Sequence, residues 1–304
     1  MTLTSLQWKN LLESIEQKKC TPFIGAGCSA EWLPLGSDIA RKWAIDYGYP
    51  LKDSDDLARV SQFLAIANRN ELSPKYIISR ELKEKKPPNF SLPEFVNTAY
   101  ALLAGLNLPI YITTNYDYFM EKALKDYGKE PVSEFCRWNN FAKAAGITSV
   151  FDKPEPYKPT EARPLVYHLH GDLDTPQSMV LTESDYIDFI VNLNSQSEVL
   201  PKQIRQLLAS TSLLFIGYRL ADMNFRIIFR GIMNFLGSQF LLPNVAVMRT
   251  PHDVPEDKYE LAQEYLKEYT KNMFKVDIYW GDASVFSEDL RKRWNDFRSQ
   301  KPSS

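Results

Sequence analysis

Four short segments combine glycine with polar side chains that can bind a nucleotide or move a proton. They are Gly25-Ala26-Gly27-Cys28-Ser29, Thr114-Asn115-Tyr116-Asp117, His170-Gly171-Asp172 and Gly217-Tyr218. Glycines let a backbone approach a phosphate closely, and an asparagine amide can hydrogen-bond a sugar hydroxyl or a water molecule. A histidine with a pKa near its ordinary value can accept a proton. The four segments together predict a site for nucleotide chemistry.

Each of these segments follows a short apolar run that is typical of a buried strand. The runs are "CTPFI", "LPIYITT", "RPLVYHL" and "SLLFI", and further strands are predicted at "NVAVM" and "FKVDIYW". Helical patterns separate them, which predicts an α/β fold with a Rossmann-like, mostly parallel sheet and helices on both faces. Because the carboxyl ends of parallel strands form the ligand crevice of such a sheet, we expect the four segments to meet there.

The length of 304 residues favours one domain over residues 1–304. Residues 51–106 have a mostly helical pattern and are interpreted as a helical insertion. Residues 128–163 are rich in proline and charge and are interpreted as an irregular loop insertion.

The spacing Gly25-x-Gly27-x-x-Ala30 matches a dinucleotide-binding fingerprint. A loop between the end of a strand and the start of a helix can present backbone N–H groups to an anion. Glycine turns of this kind also occur for steric reasons alone. The motif by itself therefore leaves phosphate binding and a plain turn both open.

The histidines raise the question of a metal site. His168 and His170 lie two residues apart on a predicted strand and are expected to share a face. The remaining histidine, His252, follows another strand, and no cysteine pair supplements the set, so no metal site is expected. His170, at the strand end, is the candidate base, with an imidazole near its ordinary pKa.

Composition excludes several classes of protein. The formal net charge of −2 gives no field that would attract nucleic acid or an anionic membrane, and no direct nucleic-acid binding is expected. Three cysteines without a Cys-x-x-Cys pair fit a reducing cytoplasm. The apolar runs are too short for a membrane span.

In this order, "FIGAGCSAEWLP", "ITTNYD", "HLHGD" and "FIGYRLAD" resemble the nicotinamide-dinucleotide core of the sirtuin family, over roughly residues 18–290. The resemblance is to the bacterial SIR2-like branch used in antiphage defence. It implies that Asn115 and His170 are catalytic. The residues that it implies for binding NAD are Gly25, Ala26, Gly27, Ser29, Thr114, Asp117, Gly217, Tyr218, Gly281 and Asp282. Among them, Asp117 corresponds to the aspartate of the nicotinamide pocket.

Protein deacylases of the sirtuin family normally carry a zinc module with two cysteine pairs, and this chain has none. The resemblance therefore implies an NAD⁺ hydrolase that cleaves NAD⁺ to nicotinamide and ADP-ribose, with NAD as the substrate and no metal. One alternative is an NAD-dependent deacylase or ADP-ribosyltransferase. Another is a non-catalytic NAD-binding or scaffold module.

The resemblance also implies control by assembly, because an unrestrained NAD⁺ hydrolase would harm its own cell. A homo-oligomer is expected, together with a partner such as a HerA-like ATPase. A short Argonaute-like protein is the alternative partner.

Overall fold

The computed structural model describes residues 3–155, 157–195, 199–218, 230, 242–249 and 254–300. His252 and the residues after Tyr218 in the motif "FIGYRLAD" lie outside the described residues. The strands of the described part are β1 (Cys20–Ile24), β2 (Ile110–Thr113), β3 (Val132–Phe135), β4 (Leu165–His168), β5 (Ser212–Ile216), β6 (Asn244–Met248) and β7 (Val276–Trp280). Its α-helices are α1 (Ser5–Glu16), α2 (Gly36–Tyr47), α3 (Leu57–Ala67), α4 (Ser73–Lys83), α5 (Ala99–Gly105), α6 (Phe119–Asp126), α7 (Asn140–Lys143), α8 (Glu183–Ser195), α9 (Lys202–Ser210), α10 (Tyr259–Phe274) and α11 (Ala283–Ser299).

The strands form one parallel sheet in the order β3-β4-β2-β1-β5-β6-β7. The chain adds strands on one side of β1 through β2, β3 and β4, and then crosses to the other side with β5. The order therefore reverses at β1, which makes the ends of β1 and its neighbours the topological switch point of the sheet. The predicted α/β fold with a Rossmann-like parallel sheet is confirmed.

The strands at the centre of the sheet are apolar because both of their faces are covered. All positions of β1, β5 and β6 are buried, as expected for a parallel sheet between two layers of helices. Successive side chains of β5 enter different cores: Leu214 packs in the same core as Phe286, and Phe215 packs in the same core as Phe189. The first core is formed with α1 to α6 and α11, and the second with α8, α9 and α10.

The segment 51–106 is largely helical, as its pattern indicates, and it contains α3, α4 and α5. The side chains of Asp56 and Thr98 accept backbone N–H bonds at the starts of α3 and α5 and so define where these helices begin. Residues 99–104 of α5 are all buried. This segment therefore contributes directly to the core beneath the strand ends. Its description as an insertion in a single domain stays a prediction.

The segment 128–163 is more regular than its composition indicates. It contains β3, which pairs with β4 along its whole length, and the short helix α7. The strand was missed because its sequence, "VSEF", places the charged Glu134 at a buried position. The buried carboxylate of Glu134 has protein partners in place of water. It accepts from the Ser149 hydroxyl and the Val150 amide and pairs with Arg137 at 2.6 Å.

None of the helices in the described ranges combines the length and apolar character needed to cross a membrane.

Candidate active site

The four polar segments predicted from the sequence follow β1, β2, β4 and β5, and these strands are adjacent in the order β4-β2-β1-β5. Because the sheet is parallel, their carboxyl ends meet at the same edge. This edge includes the switch point, which is where ligands bind in open α/β sheets. The structure therefore brings the loop at Gly25–Ser29, Asn115, His170 and Gly217 to the same edge of the sheet.

The glycines after β1 and β5 allow two loops to touch. A Cβ atom at Gly25 would lie 2.7 Å from the carbonyl oxygen of Gly217, and a Cβ at Gly217 would lie 2.5 Å from that of Gly25. Gly217 also has a φ of +83°, which other residues rarely adopt. The amide of Gly27 donates to the Gly217 carbonyl at 2.9 Å. These glycines are needed for the close approach of the two loops.

The backbone of the Gly25–Ser29 loop is mostly satisfied within the protein. The amide of Gly25 donates to Ile216, that of Cys28 to Gly25, and that of Ser29 to Ala26. The expectation that this loop presents its N–H groups to an anion is therefore wrong for these amides and for that of Gly27. The loop forms a short 3₁₀ turn, and its assignment as a binding loop depends on its place in the crevice.

A hydrogen-bonded network lies behind this loop, and we call Ser29, Tyr100, Asn115 and Asp117 the amide network. The Ser29 hydroxyl lies 2.6 Å from the Tyr100 hydroxyl and donates to Asp117 Oδ2 at 3.1 Å. Asn115 Nδ2 lies 3.2 Å from the Gly25 carbonyl oxygen and 3.3 Å from both hydroxyls. Sequence reasoning identified three of the four members. Tyr100 was missed because its helical spacing is that of an ordinary core residue.

Asp117 joins two elements of the site. Its Oδ1 accepts the Phe119 amide at 2.9 Å, at the start of α6, while its Oδ2 faces Ser29. Burial raises the pKa of Asp117 to about 6, against the lowering effect of these two hydrogen bonds. The carboxylate is therefore ionised at neutral pH and protonated in mild acid.

Thr114 and Tyr218 connect the ends of β2, β1 and β5. The hydroxyls of Thr114 and Tyr218 are 2.8 Å apart, and the Tyr218 hydroxyl also donates to the Ile24 carbonyl at 2.8 Å. These contacts fix the position of the Tyr218 ring beside Gly25. Both residues thus lie where the sequence analysis expected them, next to the glycine loop.

His168 is buried between β4 and α6. Its Nε2 lies 2.7 Å from Glu121 Oε1, and its Nδ1 lies 3.1 Å from the Asn115 carbonyl oxygen. Burial alone lowers the pKa of His168, but the charge and hydrogen bond of Glu121 raise it to about 9. An imidazolium in this place donates to both neighbours and fixes the backbone of Asn115. Sequence reasoning considered His168 only as a possible metal ligand.

His170 lies on the opposite side of the sheet from His168. Its ring makes edge-to-face contacts with Tyr186 and Phe189 of α8, at centroid distances of 5.7 and 5.4 Å. The expectation that the two histidines share a face is wrong because β4 ends at His168, and the chain then turns at Gly171, which has a φ of +80°. This arrangement separates the two imidazoles, so they do not form a metal-ligand pair.

The His170 imidazole has an unusual environment. Nε2 is buried and has no hydrogen-bond partner in the described part of the chain. Desolvation lowers the pKa of His170 to about 3, so the expectation of an ordinary pKa is wrong. A buried polar atom without a partner costs free energy, and a hydroxyl group of a ligand or a water molecule would satisfy it.

Gly281 and Asp282 follow β7, at the far edge of the sheet, three strands from β1. Asp282 Oδ1 accepts the Val285 amide at 2.9 Å and so caps α11. These contacts are those of a helix cap, and they leave the two residues apart from the rest of the crevice. In the described residues no group of three or more histidine, cysteine, aspartate or glutamate side chains is arranged to hold a metal.

The sheet order and the crevice at its switch point define a Rossmann-like α/β domain. The chain belongs to the SIR2-like domain family, whose model matches residues 109–270, more than half of the chain.

Several curated proteins are similar to this chain over most of its length. The NAD(+) hydrolase ThsA of Enterococcus faecium is 26% identical over 288 residues, which are 92% of this chain and 53% of that protein. The NAD(+) hydrolase ThsA of Acinetobacter baumannii (strain 532279) is 24% identical over 298 residues, 93% of this chain and 55% of that protein. Defense-associated sirtuin 2 of Bacillus subtilis is 23% identical over 248 residues, 77% of this chain and 21% of that protein. The chain spans about half the length of the two hydrolases.

Proposed function

We propose that this chain is an NAD⁺ hydrolase that releases nicotinamide and ADP-ribose and acts in antiphage defence. The observation that carries the proposal is the pairing of two features at adjacent strand ends of a SIR2-like domain. Asn115 is held by the amide network, and His170 has a buried Nε2 without a partner among the described residues. Thr113 of β2 is paired with His168 of β4, so Asn115 and His170 each lie two residues beyond a paired position. The names of the relatives support the same chemistry.

In the reaction, the bond between ribose C1′ and the pyridinium nitrogen breaks, and its electron pair leaves with neutral nicotinamide. The leaving group needs no proton, so the protein must stabilise a cationic ribose and direct a water molecule to C1′. Asn115 hydrogen-bonds a ribose hydroxyl or this water. The water oxygen bonds to C1′, and His170 Nε2 accepts the proton that the water loses.

The low pKa of His170 describes the pocket without substrate. The imidazole is neutral there, which is the form that accepts a proton. The proton is transferred as the water oxygen bonds to C1′, because the positive charge of the ribose is lost in the same step. A sugar hydroxyl or water donating to Nε2 would also supply the partner that the described residues do not provide for this buried atom.

The remaining predicted residues position the substrate. Asp117 accepts from the nicotinamide carboxamide with the lone pairs that Ser29 and Phe119 leave free. The pyrophosphate lies beside the loop Gly25–Ser29, whose glycines Gly25 and Gly27 pack against Gly217. Thr114 and Tyr218 border the same loop. Gly281 and Asp282 follow β7 at the same edge of the sheet, three strands from β1, and only the resemblance to the sirtuin family assigns them to the adenosine end.

Chromatography of NAD⁺ incubated with the purified protein tests the proposal. Formation of nicotinamide and ADP-ribose in equal amounts supports it. Turnover that needs an acyl-peptide or a protein acceptor would instead identify a deacylase or an ADP-ribosyltransferase. Binding of NAD⁺ without turnover, alone and with candidate partners, would identify a binding or scaffold module.

Control of the activity is part of the proposal. We expect the chain to form a homo-oligomer and to join a partner protein, with a HerA-like ATPase as the first candidate and a short Argonaute-like protein as the second. Light scattering of the isolated protein tests self-assembly. A monomer at all micromolar concentrations would contradict it and leave control by the partner.

A further inference from the structure

Tyr100 brings a hydroxyl group from α5 to the back of the crevice. The side chain is almost completely buried, and its ring packs against Phe90, Phe119 and Trp32 at centroid distances of 5.2, 5.9 and 6.5 Å. These aromatic contacts fix the ring, so the hydroxyl has a defined position. It lies within hydrogen-bond distance of Ser29 and Asn115, the residues on the loops after β1 and β2.

The direction of the hydrogen bonds follows from the groups at the two ends of the network. Asp117 is a carboxylate at neutral pH and only accepts, so the single hydroxyl hydrogen of Ser29 is used in the bond to Asp117. The Tyr100 hydroxyl must then donate to Ser29 Oγ. Its own oxygen is left to accept from Asn115 Nδ2. Asn115, Tyr100, Ser29 and Asp117 thus form a chain with one direction.

The orientation of the Asn115 amide is determined independently by Gly25. The Gly25 carbonyl oxygen can only accept, so the group 3.2 Å away must be the amide nitrogen of Asn115. The nitrogen therefore faces Gly25, Ser29 and Tyr100, and Oδ1 points away from these three acceptors. In the described residues no group donates a hydrogen bond to this Oδ1.

We propose that Tyr100 is a positioning residue for hydrolysis, which holds the Asn115 amide so that Oδ1 faces the substrate as a hydrogen-bond acceptor. This inference rests on the proposed function and adds a residue to its site. Without the Tyr100 hydroxyl, the amide nitrogen loses one of its three acceptors, and Ser29 Oγ loses one of its two donors and keeps Asn115 Nδ2. The amide would then rotate or shift. This change should lower kcat more than it changes KM.

The test is Tyr100→Phe, compared with Tyr111→Phe. Tyr111 of β2 is a matched control because it is fully buried. Its hydroxyl donates at 3.0 Å to the Leu103 carbonyl of α5, the helix that carries Tyr100. We expect kcat to fall about tenfold in Tyr100→Phe, the value of one ordinary hydrogen bond, with KM within about twofold of wild type. Both constants should stay within about twofold in Tyr111→Phe, although both variants lose a buried hydrogen bond.

A double-variant cycle separates the network from general packing. Ser29→Ala breaks the same chain, so Tyr100→Phe should cost much less in the Ser29→Ala background than in wild type. Additive losses, or equal kcat values in Tyr100→Phe and Tyr111→Phe, would overturn the inference while the proposed function stands.

A second measurement does not require activity. Selective ¹⁵N-asparagine labelling gives side-chain amide signals, and the Asn115 signal is the one lost in Asn115→Ala. This signal should move in Tyr100→Phe and stay in place in Tyr111→Phe. If wild-type protein fails to cleave NAD⁺, the proposed function fails, but this spectrum still decides whether Tyr100 holds the Asn115 amide. An Asn115 signal that does not move in Tyr100→Phe would overturn the inference that Tyr100 positions this amide.

Discussion

The pockets around the two histidines at the end of β4 have opposite chemistry. His168 lies against α6, with Glu121 at 2.7 Å and the Asn115 carbonyl at 3.1 Å, and its pKa is raised. His170 lies against α8, between the rings of Tyr186 and Phe189, and its pKa is lowered by desolvation alone. One imidazole is charged and has a partner at each nitrogen, whereas the other is neutral and, within the part of the chain that the structure describes, has a nitrogen without a partner.

This difference indicates which histidine can take part in catalysis. Both nitrogens of His168 are occupied inside the protein, so it can act only through the Asn115 backbone that it holds. His170 Nε2, in contrast, is buried and has no hydrogen-bond partner among the described residues. The sequence "HLH" alone does not distinguish the two roles, because they depend on which helix each ring meets.

The largest effect is expected from removing the imidazole of the His170 pocket. His170→Ala should lower the rate of NAD⁺ hydrolysis by about 10²-fold or more, the usual contribution of a positioned base. Asn115→Ala should cause a loss of similar size. Steady-state kinetics by chromatographic detection of nicotinamide measures both. Urea unfolding should show that both variants are folded, and near wild-type activity in either would mean that the catalytic pair is assigned wrongly.

Removing the charge that pairs with His168 should lower the stability of the folded protein. Glu121→Gln leaves a buried imidazolium without its counter-charge and should reduce the free energy of unfolding by about 3 kcal/mol at pH 7. Urea unfolding measures this loss. The double variant Glu121→Gln/His168→Gln removes both charges and should recover part of it. A single variant as stable as wild type would show that the pair is not charged in the folded protein.

Much of the fold could be predicted from the sequence because the strands are buried on both faces and appear as apolar runs. The strand ends also carry their polar residues in visible motifs. β3 was not predictable, since the burial of Glu134 depends on Ser149, Val150 and Arg137, which only the folded chain brings together. Tyr100 and Glu121 were missed for the same reason. Their partners are the loop after β1 and the end of β4, far away along the chain.

The two histidines should make the free energy of unfolding depend on pH in opposite directions. The folded-state pKa of His168 is raised to about 9, so its contribution is complete below its unfolded pKa of about 6.5 and is lost as the pH rises through 9. The pKa of His170 is lowered to about 3, so its contribution is present above 6.5 and is lost as the pH falls toward 3.

Urea unfolding from pH 4.5 to 9.5 tests this, with each wild-type curve compared with a variant so that other titrating groups cancel. The advantage of wild type over His168→Gln should shrink by on the order of 2 kcal/mol between pH 6 and 9.5. The free energy of wild type relative to His170→Phe should instead fall by a similar amount between pH 7 and 5. Parallel curves for wild type and either variant would contradict the pKa shift assigned to that histidine.

The smallest expected effect isolates the cause of the low pKa in the His170 pocket. Desolvation is its cause, and Phe189 supplies one of the two rings that exclude water from the imidazole. Phe189→Leu keeps the pocket apolar but makes the side chain smaller, so the pKa of His170 should rise by about one unit, with a stability loss of about 1 kcal/mol. Imidazole NMR signals measure the titration. Phe286→Leu, in the core on the other face of the sheet, is the matched control and should leave the His170 signal unchanged. A His170 titration that is the same in wild type and Phe189→Leu would show that α8 does not set the charge state of this pocket.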